Sequence, residues 1–177
     1  MPSIIVLDKL SPDGLALLDA AGRLGISYEV KTGLSGEELK NVLASHDGAI
    51  CRSGVKITAD VLAGNNRLRA IVRAGVGTDN IDKQAATRQG IVVMNTPAGN
   101  TVSTAEHAFT LLLALSRNVA PADASLREHR WDRSKYMGVQ LAGKTLGIVG
   151  MGRIGQAVAS RARAFDMRVV VYDPFLA

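Results

Sequence analysis

The sequence predicts an α/β protein built on parallel strands, and three observations carry that prediction. Short apolar runs alternate with capped, amphipathic segments through the first 98 residues. The connections between them are brief and rich in Gly, Pro, Asn and Asp. Near the other end, a run of β-formers leads into a glycine turn that opens a helical segment. Strand and helix in strict alternation specify a parallel sheet covered by helices on both faces, because each parallel pairing needs a crossover.

Ile4 to Leu7 reads as a buried strand. Ser11 and Pro12 then supply an N-cap and a first helical residue, with Leu15, Leu17, Leu18 and Leu24 as the apolar face. Tyr28 to Lys31 is a second strand, and Ser35-Gly-Glu-Glu38 reads as a capping box for a helix carrying Leu39, Val42 and Leu43. Gly48 to Arg52 is a third strand, followed by a short capped helix from Thr58 to Leu62. Leu68 to Arg73, a helix over Ile81 to Gln89, and Ile91 to Met94 complete a flavodoxin-like set of five strands. Pro97 and Gly99 punctuate a boundary, which divides the chain into domains at 1–98 and 99–177. The helix from Thr101 to Arg117 is apolar on several sides and should be buried in a core or a subunit interface. A more polar helix over Ala122 to Arg130 and a polar connection from Trp131 to Gly143 follow. The last segment is a strand from Thr145 to Val149, a helix from Gln156 to Phe165 and a strand from Arg168 to Tyr172, the first half of a Rossmann domain.

Composition narrows the function classes. At 177 residues, with 47% hydrophobic and 21% charged side chains, the chain is an ordinary globular sequence. Its net charge of +5 (21 basic, 16 acidic) is spread over many segments, and with 4% aromatic residues no basic run is interleaved with stacking rings. That argues against nucleic acid and for a small anionic ligand. The single cysteine, Cys51, permits no intramolecular disulfide and reads as a small apolar filler in a buried strand. The N-terminus lacks the positive region of a signal peptide, and the apolar stretch Ala105 to Leu115 is too short to span a bilayer. The expectation is a cytoplasmic protein with no membrane partner. His46 in a turn and His129 are expected at the surface, His107 in a core or interface, and no spacing among the three suggests metal ligands.

Two regions carry ligand chemistry. Gly150-x-Gly152-x-x-Gly155 lies between strand and helix, with Asp173 closing the next strand. Gly150 permits a tight turn, Gly152 a close approach of a pyrophosphate, and Gly155 close packing of helix on sheet, while the helix N-terminus offers free N–H groups to phosphates. Asp173 would accept from the ribose hydroxyls and repel a 2′-phosphate, so the expected cofactor is NAD. Asp-Pro is also a turn former, a role compatible with this one. In the first domain, ligands of a parallel sheet lie beyond the carboxyl ends of its strands. Arg52-Ser53-Gly54-Val-Lys56, Arg73-Ala-Gly75-Val76-Gly77 and Thr96 to Asn100 follow three such ends. Arg52, Lys56 and Arg73 would converge as an anion trap, and the glycines would frame a backbone nest. The plainer alternative is turn glycines and solvated arginines.

Arg52-Ser-Gly-Val-Lys-Ile-Thr58, Arg73-Ala-Gly-Val-Gly-Thr-Asp-Asn-Ile-Asp82, Met94-Asn-Thr-Pro-Ala-Gly-Asn-Thr-Val-Ser-Thr-Ala-Glu106, Trp131-Asp-Arg-Ser-Lys-Tyr-Met-Gly138 and Gly143-Lys-Thr-Leu-Gly-Ile-Val-Gly-Met-Gly-Arg-Ile-Gly155 together resemble the D-2-hydroxyacid dehydrogenases over essentially the whole chain. The resemblance implies a substrate-binding lid domain, an NAD-binding domain, and hydride transfer between NAD and a small 2-hydroxy or 2-oxo acid. It implies that Arg52 and Ser53 face the substrate's far end, where a phosphate would sit. The backbone of Val76 and Gly77, in the substrate-binding loop that Gly75 opens, would bind the carboxylate, and Asn100 would line the same pocket. Arg153 and Ile154 match positions at the pyrophosphate, and Asp173 the ribose-binding acid. The helix 101–117 matches a dimer interface, so a homodimer or higher homo-oligomer is expected. The family's catalytic arginine, glutamate and histidine follow the second Rossmann strand, and the sequence ends at Ala177. The expectation is therefore an N-terminal piece with no catalytic residue and no turnover of its own. A dehydrogenase for a hydroxypyruvate- or glyoxylate-type acid, or a non-catalytic NAD-sensing or corepressor module, are the alternative readings.

Overall fold

The computed structural model describes residues 1–175, in two compact units, Met1–Gly99 and a second beginning at Asn100. The first unit holds β1 (Ser3–Val6), α1 (Pro12–Ala21), a short 3₁₀ turn (Gly22–Leu24), β2 (Ser27–Val30), α2 (Gly36–Ala44), β3 (Gly48–Cys51), α3 (Ala59–Leu62), β4 (Ala70–Arg73), α4 (Lys83–Arg88) and β5 (Val92–Asn95). Its five strands are all parallel, in the order β2-β1-β3-β4-β5. This is the doubly wound, flavodoxin-like order, whose direction reverses between β1 and β3.

The two faces of this sheet are unequal. In register across it, Ile5, Ala49, Ile71 and Val93 form one row. The first three are buried in a cluster with Leu39 and Leu43 of α2, Val61 and Leu62 of α3, and Ala85 and Ala86 of α4, and Val93 packs against it. The opposite row runs from Val6, fully buried, through Ile50 and Val72, half-buried, to Met94, which is exposed. Helix α1 contributes no buried residue, and Leu17 and Leu24 of its expected apolar face lie in solvent. The core expected on two faces is therefore concentrated on one.

Local signals account for most boundaries. Ser11 caps α1 as its sequence suggests, its hydroxyl accepting from the Gly14 N–H at 3.2 Å. Asp82 caps α4 through the Ala85 N–H at 2.8 Å. The capping box at Ser35 does not form: Ser35 is the N-cap, yet its side chain makes no capping bond, and Gly36 enters the helix with φ +53°. A left-handed first residue turns the first N–H groups away from the geometry that a capping hydroxyl needs. Thr58 likewise caps α3 with backbone alone.

The second unit comprises α5 (Thr101–Ser116), α6 (Val119–Arg127), β6 (Thr145–Val149), α7 (Arg153–Ala164) and β7 (Arg168–Tyr172). Helix α6 begins three residues before its expected start, because Pro121 falls in its first turn, where a missing N–H costs nothing. Helix α7 also starts earlier, at Arg153, so the glycine turn supplies its first residues. β6 and β7 pair in parallel. One face of the pair packs Leu146 and Val169 against Phe109, Leu141, Ala162 and Met167, with the rings of Phe109 and Phe165 4.9 Å apart. Of the apolar residues of α5, Ala105 and Phe109 are buried while Val102, Leu111 and Leu115 are exposed.

One histidine expectation is corrected and another narrowed. His46 is buried, its ring held between the end of α2 and β2, with Nδ1 2.8 Å from the Val42 carbonyl and Nε2 3.6 Å from Glu29. His107 is exposed, since two residues along a helix from Ala105 is roughly the opposite face; of the two places expected for it, this rules out the core and keeps the interface. His129 is exposed, as expected. Among the described residues no helix is long and apolar enough to cross a membrane.

Candidate functional site

The strand ends of the first unit bring several of the expected residues onto one rim. Cys51 and Arg73 are paired across β3 and β4, and Arg73 and Asn95 across β4 and β5. The loops that follow therefore start side by side, roughly 4.8 Å apart per strand. From β3 come Arg52 and Ser53, both exposed. From β4 come Gly75, Val76 and Gly77.

The loop after β4 is tightly held. The Ala74 N–H donates to the Cys51 carbonyl and the Gly75 N–H to the Arg73 carbonyl, each at 2.8 Å. The Gly75 carbonyl accepts from the Thr96 N–H at 3.0 Å, and the Val76 carbonyl accepts from Asn95 Nδ2 at 2.6 Å. The N–H groups of Val76, Gly77 and Thr78 donate to no protein acceptor among the described residues. A loop with its Gly75 and Val76 carbonyls turned to protein donors and three successive N–H groups free has the form of an anion cradle. Gly75 contributes shape rather than a donor. The Arg73 guanidinium folds over it, and a Cβ at Gly75 would collide with Nη1. Arg73 Nε is buried without a partner.

The expected three-cation trap is only partly assembled. Lys56 lines a hollow of about 580 Å³ with Leu34, Ser35, Gly36 and Lys40, a lining that includes neither Arg52 nor Arg73. The reason is local, since Val55 and Ile57 are buried and turn Lys56 outward between them. Asn100 falls in the second unit, where it is the N-cap of α5 without a side-chain capping bond.

Two residues that the strand-end argument passed over hold the Arg52 loop. The Asp8 carboxylate, just beyond β1, accepts from the Arg52 N–H at 2.5 Å. Asn80 Nδ2 donates to the Arg52 and Val55 carbonyls at 2.8 and 2.9 Å. The same rule that flagged the ends of β3 to β5 applies to β1 and would have found Asp8. Beneath them Cys51 is a buried filler, its thiol pushed up to about 11 by burial and the charge of Asp8.

In the second unit the glycines separate by task. Gly150 turns out of β6 with φ +95°, a left-handed conformation. Gly152 is the N-cap of α7, and a Cβ placed on it would meet no atom within 4 Å, so its surface is open to a close ligand. A Cβ at Gly155 would collide with the Gly150 carbonyl, which ties the helix start to the strand end. Exposed Arg153 and half-buried Ile154 are the first helical residues, with no side chain capping the helix, leaving its N–H groups and dipole for an anion. The Asp173 carboxylate accepts from the Met151 N–H at 2.6 Å and from the Phe175 N–H at 2.9 Å. Those two bonds, Met151 first, hold its pKa below the ordinary carboxylate value. An ionised acid beside an open glycine turn and an uncapped helix N-terminus fits a dinucleotide. NAD in such a site would supply the hydride acceptor.

Comparison with known proteins identifies the family of the chain. The family profile of the D-isomer specific 2-hydroxyacid dehydrogenase catalytic domain matches residues 4–173. The chain is 46% identical to D-3-phosphoglycerate dehydrogenase of Archaeoglobus fulgidus over 98% of its own length and 32% of the relative's. It thus spans about a third of the length of the curated relatives it matches. Among solved structures, the TT0316 protein of Thermus thermophilus matches with a TM-score of 0.88 and 37% identity, over 99% of this chain and 57% of that one. The NAD+-bound 3-phosphoglycerate dehydrogenase of Entamoeba histolytica matches with a TM-score of 0.80 and 28% identity, over 99% and 55%. With the profile covering nearly every residue and both glycine-bearing loops inside it, the chain belongs to the D-isomer specific 2-hydroxyacid dehydrogenase family.

Proposed function

We propose that this chain supplies the substrate-anion site and the adenosine-side cofactor site of an NAD-dependent dehydrogenase that oxidises D-3-phosphoglycerate to 3-phosphohydroxypyruvate, a step of serine biosynthesis. One observation carries the reading. Arg52 and the open N–H groups of Val76 and Gly77 leave adjacent strands, so a cation and a backbone nest flank one rim. A phosphate at Arg52 and Ser53 and a carboxylate at Val76 and Gly77 would fix the two ends of a three-carbon acid and leave its central hydroxyl between them. In the second unit, Gly152 and the first N–H groups of α7 would receive the pyrophosphate. Asp173 would orient the ribose and discourage NADP. Residues 1–98 act as the lid domain and 99–177 as part of the NAD domain, in a cytoplasmic enzyme.

Helix α5, with Val102, Leu111 and Leu115 exposed, would contribute the interface of a homodimer or larger homo-oligomer. No histidine is placed on the strand-end rim or in the glycine turn among the described residues, so the acid–base step is assigned to other residues than these. The chain alone should not reduce NAD. Acid–base groups contribute about 10²–10⁴-fold to such reactions.

The same lack of a histidine at the rim favours a second reading, an NAD-responsive module that binds without turning over. Calorimetric titration of the chain with NAD, NADH, D-3-phosphoglycerate and D-glycerate separates the two. The dehydrogenase reading expects D-3-phosphoglycerate to bind more tightly than D-glycerate. Tight binding of one nicotinamide form with no response to either acid would replace it by the sensor reading.

A further inference from the structure

In a sheet ordered β2-β1-β3-β4-β5 the crevice at the reversal, between the ends of β1 and β3, is the ordinary place for a ligand. Here that crevice is bridged by protein. Asp8 leaves β1, Arg52 leaves β3, and the carboxylate of the first accepts the backbone N–H of the second. Gly54 lies so close to the same carboxylate that a Cβ there would collide with Oδ1. On the other side of the turn, Asn80 grips the Arg52 and Val55 carbonyls. The backbone from Arg52 to Val55 is therefore clamped at both ends and from both flanks, while the Arg52 and Ser53 side chains stay exposed. A carboxylate beside a site for anions is electrostatically unfavourable, which makes its presence informative. The mechanical work it does on the loop must outweigh the repulsion.

We propose that Asp8 is a positioning residue for phosphate recognition: it bridges the β1–β3 crevice to the Arg52 N–H, fixes the Arg52–Gly54 turn, and so aims Arg52 at the far-end phosphate of the substrate. This rests on the proposed role of Arg52. Asp8 itself touches no substrate. Because its task is to accept one N–H bond, an uncharged acceptor of the same shape should replace it. Gly54 is part of the same device, since any side chain there would displace the carboxylate.

The test is calorimetric titration of the 177-residue chain with D-3-phosphoglycerate and with D-glycerate, which lacks the phosphate. Asp8→Ala should weaken D-3-phosphoglycerate binding about tenfold, the effect of losing one charge-assisted hydrogen bond, and leave D-glycerate binding unchanged. Asp8→Asn should bind D-3-phosphoglycerate as tightly as the unmodified chain or more tightly, because it keeps the acceptor and removes the repulsion. Gly54→Ala should reproduce Asp8→Ala, and the two together should be no worse than either alone, the non-additivity of residues acting as one unit. Should Asp8→Ala not fold by circular dichroism, Gly54→Ala carries the same comparison. An equal loss for both acids would mean a general structural role and overturn the proposal, as would unchanged D-3-phosphoglycerate affinity in both variants. Absence of any phosphate preference in the unmodified chain would overturn the role of Arg52 and this inference with it.

Discussion

The two units solve the same problem, covering a parallel sheet, to different depths. Among the described residues, the first gathers sixteen buried side chains in one cluster with α2, α3 and α4, whereas the cluster of the second, with α5 and α7, holds four. In the second, one face of the β6–β7 pair is solvent-facing: Val149 is 87% exposed and Tyr172 67%. A two-stranded sheet is marginal without help from helices, so the second unit depends on the α5–α7 packing and on the glycine turn. The first has a core of its own. Strength in one unit lies in side-chain burial, and in the other in backbone shape.

The sharpest way to break this contrast is to cut each unit where it is strong. Leu39→Ala, at a position with no exposure, should cost about 3 kcal/mol. The loss should appear as a lowered denaturant midpoint, with the amides of β3 and β4 losing hydrogen-exchange protection and those of β6 and β7 unaffected. Gly155→Ala should cost about 2 kcal/mol in the second unit through collision with a backbone carbonyl that cannot rotate away, read as faster exchange in α7. It should also weaken NAD binding, while D-3-phosphoglycerate binding persists. A Gly155→Ala protein with the original NAD affinity would contradict the role given to the turn.

Acid should act on both units in the same direction. In the first, the Arg67 guanidinium, with the Ser3 N–H and hydroxyl, holds the Asp47 carboxyl well below its ordinary value. In the second, Met151 and Phe175 do the same for Asp173. A depressed native pKa gives stability that is fully present above the unfolded value of about 3.9 and disappears as pH falls through the native one. Thermal midpoints should thus be flat with respect to these groups near neutrality and fall below about pH 4. Asp47→Asn should reduce the acid dependence of the first unit only. The smallest effect is expected at Val149→Ser, on the open face of β6, which should change the stability of this chain by under about 0.5 kcal/mol.

How much of this was legible in the sequence follows from the range of each interaction. Strands, the parallel sheet and the glycine turn are written in local patterns, and Ser11 and Asp82 cap helices within three residues of themselves. The misread features depend on partners elsewhere, or on one backbone angle. His46 looked exposed because Asp47 follows it, but Glu29 of β2 sits beside its ring. Ser35 had the capping letters, and Gly36 at φ +53° removed the geometry. Asp8 carried no motif, since its partner is 44 residues away. At the site, Arg52, Val76 and Gly77 were placed by the strand-end rule. Lys56 was misplaced because burial of its neighbours decides which way it points.

The two bonds of Asp173 bear on attempts to redesign the cofactor preference. The Asp173 carboxylate anchors Met151 in the glycine turn, and in the proposed reading the same carboxylate would discriminate against a 2′-phosphate. Replacing it with a neutral residue to admit NADP would also release the loop proposed to cradle the pyrophosphate. Preference and affinity cannot then be adjusted separately by a single exchange. A switch of cofactor in this protein calls for at least two substitutions, one to welcome the extra phosphate and another to give the Met151 N–H a new acceptor.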